Sequence, residues 1–247
     1  MQQGILIGSD IAAEWLIPWW WKRYREFNGR PVSIVDFGMS LKMRSWCLKK
    51  MEVIPFSLSP IDVRPKNEIS KEHLKLWKKQ YRGPLWQARE AWFKKPGACL
   101  LSPYDLTLWI DLDCEVCESL DPVFAEARDD VELVIGKQDW RLDAPVVYNS
   151  GVILFRKKSP FLHEWNLRCF SQNASMMGDQ DVLTSMLLEG NIQYKELSPF
   201  YNWLMYSGVQ PGIVIAHWSA GWGKEYIRRF GGLSSAHKTL NHSRLDG

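Results

Sequence analysis

The sequence predicts an α/β layer fold, a mostly parallel sheet flanked by helices, and two observations carry that reading. Short runs of strand-forming apolar residues alternate with stretches of helical length. Several of those runs end in residues able to hold a ligand: Asp10 after "GILIGSD", Asp111 and Asp113 in "TLWIDLD", and His217 in "GIVIAHW". In open α/β sheets ligands sit beyond the carboxyl ends of the strands, so these termini mark one candidate site.

The elements follow in order. "GILIGSD" and "PVSIVDF" read as the first two strands. Between them lies "IAAEWLIPWWWKRYREFNG", where Pro18 is tolerated only at a helix start. A short turn is therefore expected, then a helix from about Pro18 closed by Asn28 and Gly29. "TLWIDLD", "ELVIGK" and "VVYNSGVILFRK" read as further strands, "FLHEWNLRCF" and "DQDVLTSMLLEG" as helices, and "GIVIAHW" as the last strand. The 247 residues, 46% of them apolar, suit one domain. A basic helical insertion is expected at about 60–98.

Charge is unevenly spread. From Arg64 to Lys95 ten basic residues face three acidic ones, a balance of +7; with a net charge of +3, the remainder carries 3 minus 7, or −4. Such a segment suits phosphates, an anionic acceptor or an anionic membrane surface, but Leu74, Trp77 and Tyr81 recur at helical spacing, as on an ordinary solvated helix. No nucleic-acid partner is expected. Five cysteines without a secretory pattern point to a reducing cytoplasm, with peripheral contact to the cytoplasmic membrane face through residues 64–95. The uncharged run Leu197–Gly223 is interrupted by Pro199, Asn202, Gly208, Pro211 and Gly212, so no transmembrane helix is expected.

The acidic pair raises the chemical question. Side chains two apart on a strand project to the same face, so Asp111 and Asp113 should aim together and repel unless a cation, a shared proton or water relieves them. Adding His217 makes two carboxylates and an imidazole, a set suited to Mn²⁺ or Mg²⁺ with positions left for phosphate oxygens. Neither a G-x-x-x-x-G-K-[ST] loop nor a G-x-G-x-x-G turn is present. A bound metal would have to carry a diphosphate itself.

Four motifs resemble those of metal-dependent glycosyltransferases of the GT-A fold, and of glycosyltransferase family 8 in particular. "LWIDLDCEV" looks like the family's D-x-D strand, "YNSGVILF" like its N-x-G strand, "GDQDVLTSML" like its D-Q-D helix start and "HWSAGWGK" like its closing H-x-x-G-x-x-K motif. The resemblance implies transfer of a sugar from a UDP-sugar to a glycan or lipid-linked acceptor, with retention. By it, Asp111 contacts donor ribose and metal, Asp113 and His217 complete the metal's protein ligands, and Asp10 holds the nucleoside. Arg89 contacts donor phosphate and sugar, although it lies further from the D-x-D motif than in the family. Asn149, Asp179, Gln180 and Asp181 line the sugar pocket, with Gln180 beside the anomeric carbon, while Gly221 and Lys224 meet the diphosphate. Asp179 and Asp181 equally suit an N-cap and a first-turn charge. The closing motif departs from the pattern: glycine stands fourth after His217, not third, and Glu225 and Tyr226 replace the usual proline and tryptophan.

Other readings stay open. A nucleotide-sugar or glycan-binding protein would keep this fold without turnover. A haloacid-dehalogenase-like phosphatase also ends a strand in D-x-D, but Glu115 stands where that family has Thr or Val. Cys114 and Cys117 form a C-x-x-C without the two further ligands a structural zinc needs. His73, His163, His237 and His242 read as surface or capping residues. The cluster Trp19, Trp20 and Trp21, followed by Lys22, Arg23 and Arg25, suits a membrane interface, but core packing of the first helix is the expectation.

Overall fold

A computed structural model describes residues 1–57, 63–81, 85–127, 131–139 and 145–233. His237, His242 and Arg82 lie outside them. The chain runs through β1 (Gln3–Ser9), α1 (Ile17–Phe27), β2 (Val32–Asp36), α2 (Leu41–Leu48), β3 (Glu52–Pro55), α3 (Lys71–Gln80), α4 (Leu85–Leu100), β4 (Leu106–Ile110) and β5 (Cys114–Val116). It continues through α5 (Asp121–Ala125), β6 (Leu133–Lys137), β7 (Tyr148–Arg156), α6 (Pro160–Gln172), α7 (Asp179–Leu188), β8 (Tyr194–Glu196), β9 (Trp203–Leu204), β10 (Ile215–His217) and α8 (Ala220–Phe230). No helix of the described residues is long and apolar enough to cross a membrane.

Seven strands form the main sheet in the order β3-β2-β1-β4-β7-β6-β8. All neighbours are parallel except β7, which runs antiparallel to both β4 and β6. Its strands are apolar on both faces, as a covered sheet requires. Ile5, Ile7, Leu108 and Ile110 point into one core with Ile17, Trp20 and Tyr24 of α1; Leu6, Trp109 and Ile153 point into the other with α4, α6 and α7. Trp20 is fully buried while Trp19 and Trp21 pack at the rim, so the tryptophan cluster is core packing. Pro18 falls in the first turn of α1, as expected. Asn28 ends that helix in an extended conformation, its side chain accepting from Leu120 N–H and donating to the Glu118 carbonyl.

Two expectations are corrected. The aspartate pair is not on a strand: β4 stops at Ile110, the chain turns tightly with Cys114 N–H on the Asp111 carbonyl at 3.0 Å, and β5 enters a separate sheet. That sheet has the order β5-β10-β9, so the last strand stands beside the D-x-D turn without joining the main sheet. Among its described residues the basic segment includes α3 and the start of α4 around a small cluster of Ile69, Trp77 and Leu85, and from Phe93 onward α4 packs into the second core.

Candidate active site

The order β2-β1-β4 places a change of winding direction between β1 and β4, the point beyond whose carboxyl strand ends open α/β sheets bind their ligands. Asp10 follows β1 and Asp111 follows β4. Asp10 spends one carboxylate oxygen on the N–H groups of Ala12 and Ala13, both at 3.0 Å, which fixes the turn out of β1.

Each carboxylate of the D-x-D turn has its own ammonium. Lys95, on α4 and nearly buried, places Nζ 3.0 Å from Asp111 Oδ1, 3.7 Å from Asp179 Oδ2 and 3.1 Å from both oxygens of Ser150. Trp109 donates its indole N–H to Asp111 Oδ1 at 2.7 Å, and Ser150 Oγ–H donates to Asp179 at 2.8 Å. Burial alone pulls the Lys95 ammonium down, but Asp111 and Asp179 outweigh it and hold its pKa above the usual lysine range. Burial pushes the Asp179 carboxyl up against the pull of Lys95. Lys224, in the first turns of α8, donates to Asp113 Oδ2 at 2.5 Å. Burial of Asp113 is overcome by Lys224 and His217, which keep its pKa well below the carboxylate range. The repulsion expected of the pair is therefore relieved by two lysines.

A chain of hydrogen bonds sets the histidine. Gly151 N–H donates to Asn149 Oδ1 at 2.9 Å, making that atom the acceptor. Asn202 Nδ2 donates to the same oxygen at 2.9 Å, so Asn202 Oδ1 is the atom that meets His217 Nδ1 at 2.8 Å. Nδ1 must carry the proton. In the neutral ring Nε2 then presents a lone pair to Asp113 Oδ1, 3.5 Å away. Two acceptors facing one another call for a cation or a proton between them. Gly151 is required by this arrangement, because a Cβ there would lie 2.5 Å from the imidazole.

The structure assembles Asp111, Asp113, Asn149, Asp179, Gln180, His217 and Lys224 in one contiguous network, with Gln180 bonded to Gln138 at 2.6 Å and to Ser150 N–H at 3.4 Å. Three predicted residues stand elsewhere. Arg89 is not part of that network: its fully buried guanidinium donates to the carbonyls of Met177 and Asn173, lies over Trp77, Trp86 and Phe93, and is pulled down to about 10 by burial. Asp181 caps α7, accepting from Gly178 N–H at 3.0 Å. Gly221 lies in the first turn of α8, where an added Cβ would meet nothing within 4 Å; the close approach belongs to Gly223, where a Cβ would sit 2.1 Å from the Trp218 carbonyl oxygen. The expected metal trio also changes. Among the described residues the one cluster of three potential ligand atoms is Asp113, Cys114 and His217, all within 4.8 Å, while Asp111 is taken up by Lys95 and Trp109.

Sequence reasoning missed Lys95, Asn202 and Ser150. Lys95 had a signal: a charge set in the run "PGACL" and "AWF" of a helix that must pack on the sheet needs a buried partner. Asn202 stood inside an apolar stretch whose polar residues were read only as breakers.

GlyE from Streptococcus pneumoniae TIGR4, a glycosyltransferase, superposes with a TM-score of 0.60 at 17% identity, over 89% of this chain and 55% of its own. This chain thus spans about half of GlyE. Mouse xyloside xylosyltransferase 1 superposes at 0.58 with 12% identity, over 88% of this chain and 97% of its own. The galactosyltransferase LgtC, in complex with donor and acceptor sugar analogs, superposes at 0.55 with 16% identity, over 94% and 96%. The fold is that of the GT-A glycosyltransferases. No protein-family model and no curated protein matches the sequence.

Proposed function

We propose that the protein is a metal-dependent glycosyltransferase of family 8 type, moving a sugar from a UDP-sugar to a glycan or lipid-linked acceptor with retention. The observation that carries this reading is the placement of His217 Nε2 3.5 Å from the Asp113 carboxylate, with Nδ1 fixed as a donor by the Asn202 and Asn149 relay. Such an imidazole, with its other nitrogen fixed as a donor, is the form in which histidine ligates a divalent cation. Asp113 and His217 would hold Mn²⁺ or Mg²⁺. The harder of these ions favour oxygen and imidazole, so the Cys114 thiol, which leans toward the Gly151 carbonyl at 3.9 Å, is not needed. When bound, the cation would stabilise negative charge on a departing diphosphate.

The chain's own groups do the rest. Lys224 is a cation beside Asp113 and free to turn toward a phosphate oxygen once a metal neutralises that carboxylate. Lys95 fixes Asp111 and Asp179 in place, and Gln180 is held by Gln138 and Ser150 at the start of α7. Residues thus ordered orient a donor sugar without reorganising.

The test is release of UDP from a panel of UDP-sugars in the presence of Mn²⁺. The parent should release UDP from at least one donor, and Asp113→Asn should reduce release about a hundredfold or more. A protein that binds UDP with Mn²⁺ yet turns over none of the panel is a binding protein, and the transferase reading falls.

A further inference from the structure

Between α3 and the start of α4 lies a groove of about 320 Å³, its lining including Lys66, Leu74, Lys78, Tyr81, Leu85 and Trp86. Its size is that of a small-ligand site. Leu74 and Lys78 share one face of α3, Tyr81 follows the helix in an extended conformation, and Trp86 closes the groove from α4. The groove adjoins the transfer site through two rings. Trp92 packs edge-on against Tyr81 at 5.1 Å and lies against Gly178, where a Cβ would meet it at 3.0 Å, directly before Asp179 and Gln180. The Tyr81 hydroxyl is raised by burial and lies within electrostatic reach of Lys224 and Asp113. Arg89, set among Trp77, Trp86 and Phe93, stiffens the groove from behind.

The chemistry of the lining is specific. An aromatic plane with polar edges suits a sugar ring, whose faces are apolar and whose rim is hydroxylated. Lys66 and Lys78 add two exposed ammonium groups at the mouth, and Lys71, Lys75 and Lys79 on the same helix extend the positive field. A depression of about 280 Å³ beside α6 and α7 offers no such case, since its Arg168 is already paired with Glu164 and Glu189.

We propose that this groove binds the acceptor, and that the acceptor is a saccharide bearing a carboxylate or phosphate group. The proposal rests on the transferase reading above and gives it a substrate class. It accounts for the excess of lysine on α3, which the fold does not use: none of Lys66, Lys71, Lys75, Lys78 and Lys79 is buried.

The experiment uses the whole chain and four probes: a galacturonate tetrasaccharide, its fully methyl-esterified counterpart, a hexose 6-phosphate, and phosphatidylglycerol vesicles. Binding is followed by calorimetry and saturation-transfer NMR, with UDP and Mn²⁺ titrated in parallel. The comparison variant is Lys66→Glu with Lys78→Glu, two exposed positions at which the fold, checked by thermal melting, is kept. The acidic tetrasaccharide or the hexose phosphate should bind, and whichever binds tells carboxylate from phosphate. The neutral ester and the double variant should each lose about tenfold or more in affinity, with UDP binding unchanged. Equal binding of acid and ester, an indifferent double variant, or no acidic saccharide bound by a parent that binds UDP would overturn the proposal. Binding to the vesicles alone would also overturn it and assign the lysines to a membrane surface. Failure of the parent to bind UDP would instead remove the transferase reading, while saccharide binding still decides the groove.

Discussion

Lys95 shows how a single buried charge organises this site. It stands between Asp111 and Asp179 with its ammonium almost wholly removed from water. Lys95→Met would fill the volume but leave the buried Asp179 carboxylate and the part-exposed Asp111 carboxylate without their partner, a loss of about 3–5 kcal/mol. Chemical denaturation should show it in the absence of any ligand; a variant within 1 kcal/mol of the parent, about the experimental floor for such a change, would mean that the cluster is open to water. Gly151 makes the complementary case. Gly151→Ala would push a methyl group into the His217 ring, so Mn²⁺-dependent stabilisation by UDP should fall while the binding of UDP without metal stays close to that of the parent. A thermal-shift series with and without Mn²⁺ separates the two. Of these residues Gly151 was legible as part of N-S-G, and His217 as a strand-end imidazole. Asn202, which fixes the tautomer, was not, because a hydrogen-bond relay across 53 and 15 residues leaves no spacing in the sequence.

At the level of elements, α8 explains the irregular closing motif. Ala220, the third residue after His217, has φ +65°, the left-handed region that glycine enters freely and an L-residue enters at a cost of about 1–2 kcal/mol. Alanine thus holds a conformation that glycine enters freely, at the third position after His217. Lys224 comes one residue later than the pattern and still reaches Asp113. Ala220→Gly should raise stability by about 0.5–1 kcal/mol, the relief of strain less the added entropy of the unfolded chain; an unchanged or lower melting temperature would contradict the strain. In α7, Asp181 is a cap, so Asp181→Ala should cost about 1 kcal/mol and leave UDP binding alone. Calorimetry of that variant tests the sugar-pocket alternative, under which binding of a UDP-sugar would weaken as well. Strands and helices of the main layer were readable because their apolar runs were long and their caps conventional. The D-x-D turn was misread as strand because "TLWIDLDCEV" goes on alternating acidic with apolar residues past Ile110, and alternation alone does not show where a chain leaves one sheet for another.

Across the whole molecule, the winding order places Asp10 and Asp111 at neighbouring strand ends, the small sheet carries His217 to Asp113, and α4 and α8 supply the two lysines. The strand-end residues Asp10, Asp111 and His217 were legible in the sequence, since strand ends are where open α/β sheets bind ligands. The groove on α3 was not, since its lysines read equally well as a solvated face until Tyr81 and Trp92 tied them to the site. The central claim is that Asp113 and His217 hold a divalent cation that carries a nucleoside diphosphate. Mn²⁺ binding in the presence of UDP, followed by electron paramagnetic resonance in the parent and in His217→Ala, tests it most directly. The account predicts a UDP-dependent bound Mn²⁺ signal in the parent, weakened about tenfold or more in affinity in the variant. A parent whose UDP binding is indifferent to Mn²⁺, or a His217→Ala protein that binds Mn²⁺ and UDP as the parent does, would contradict it.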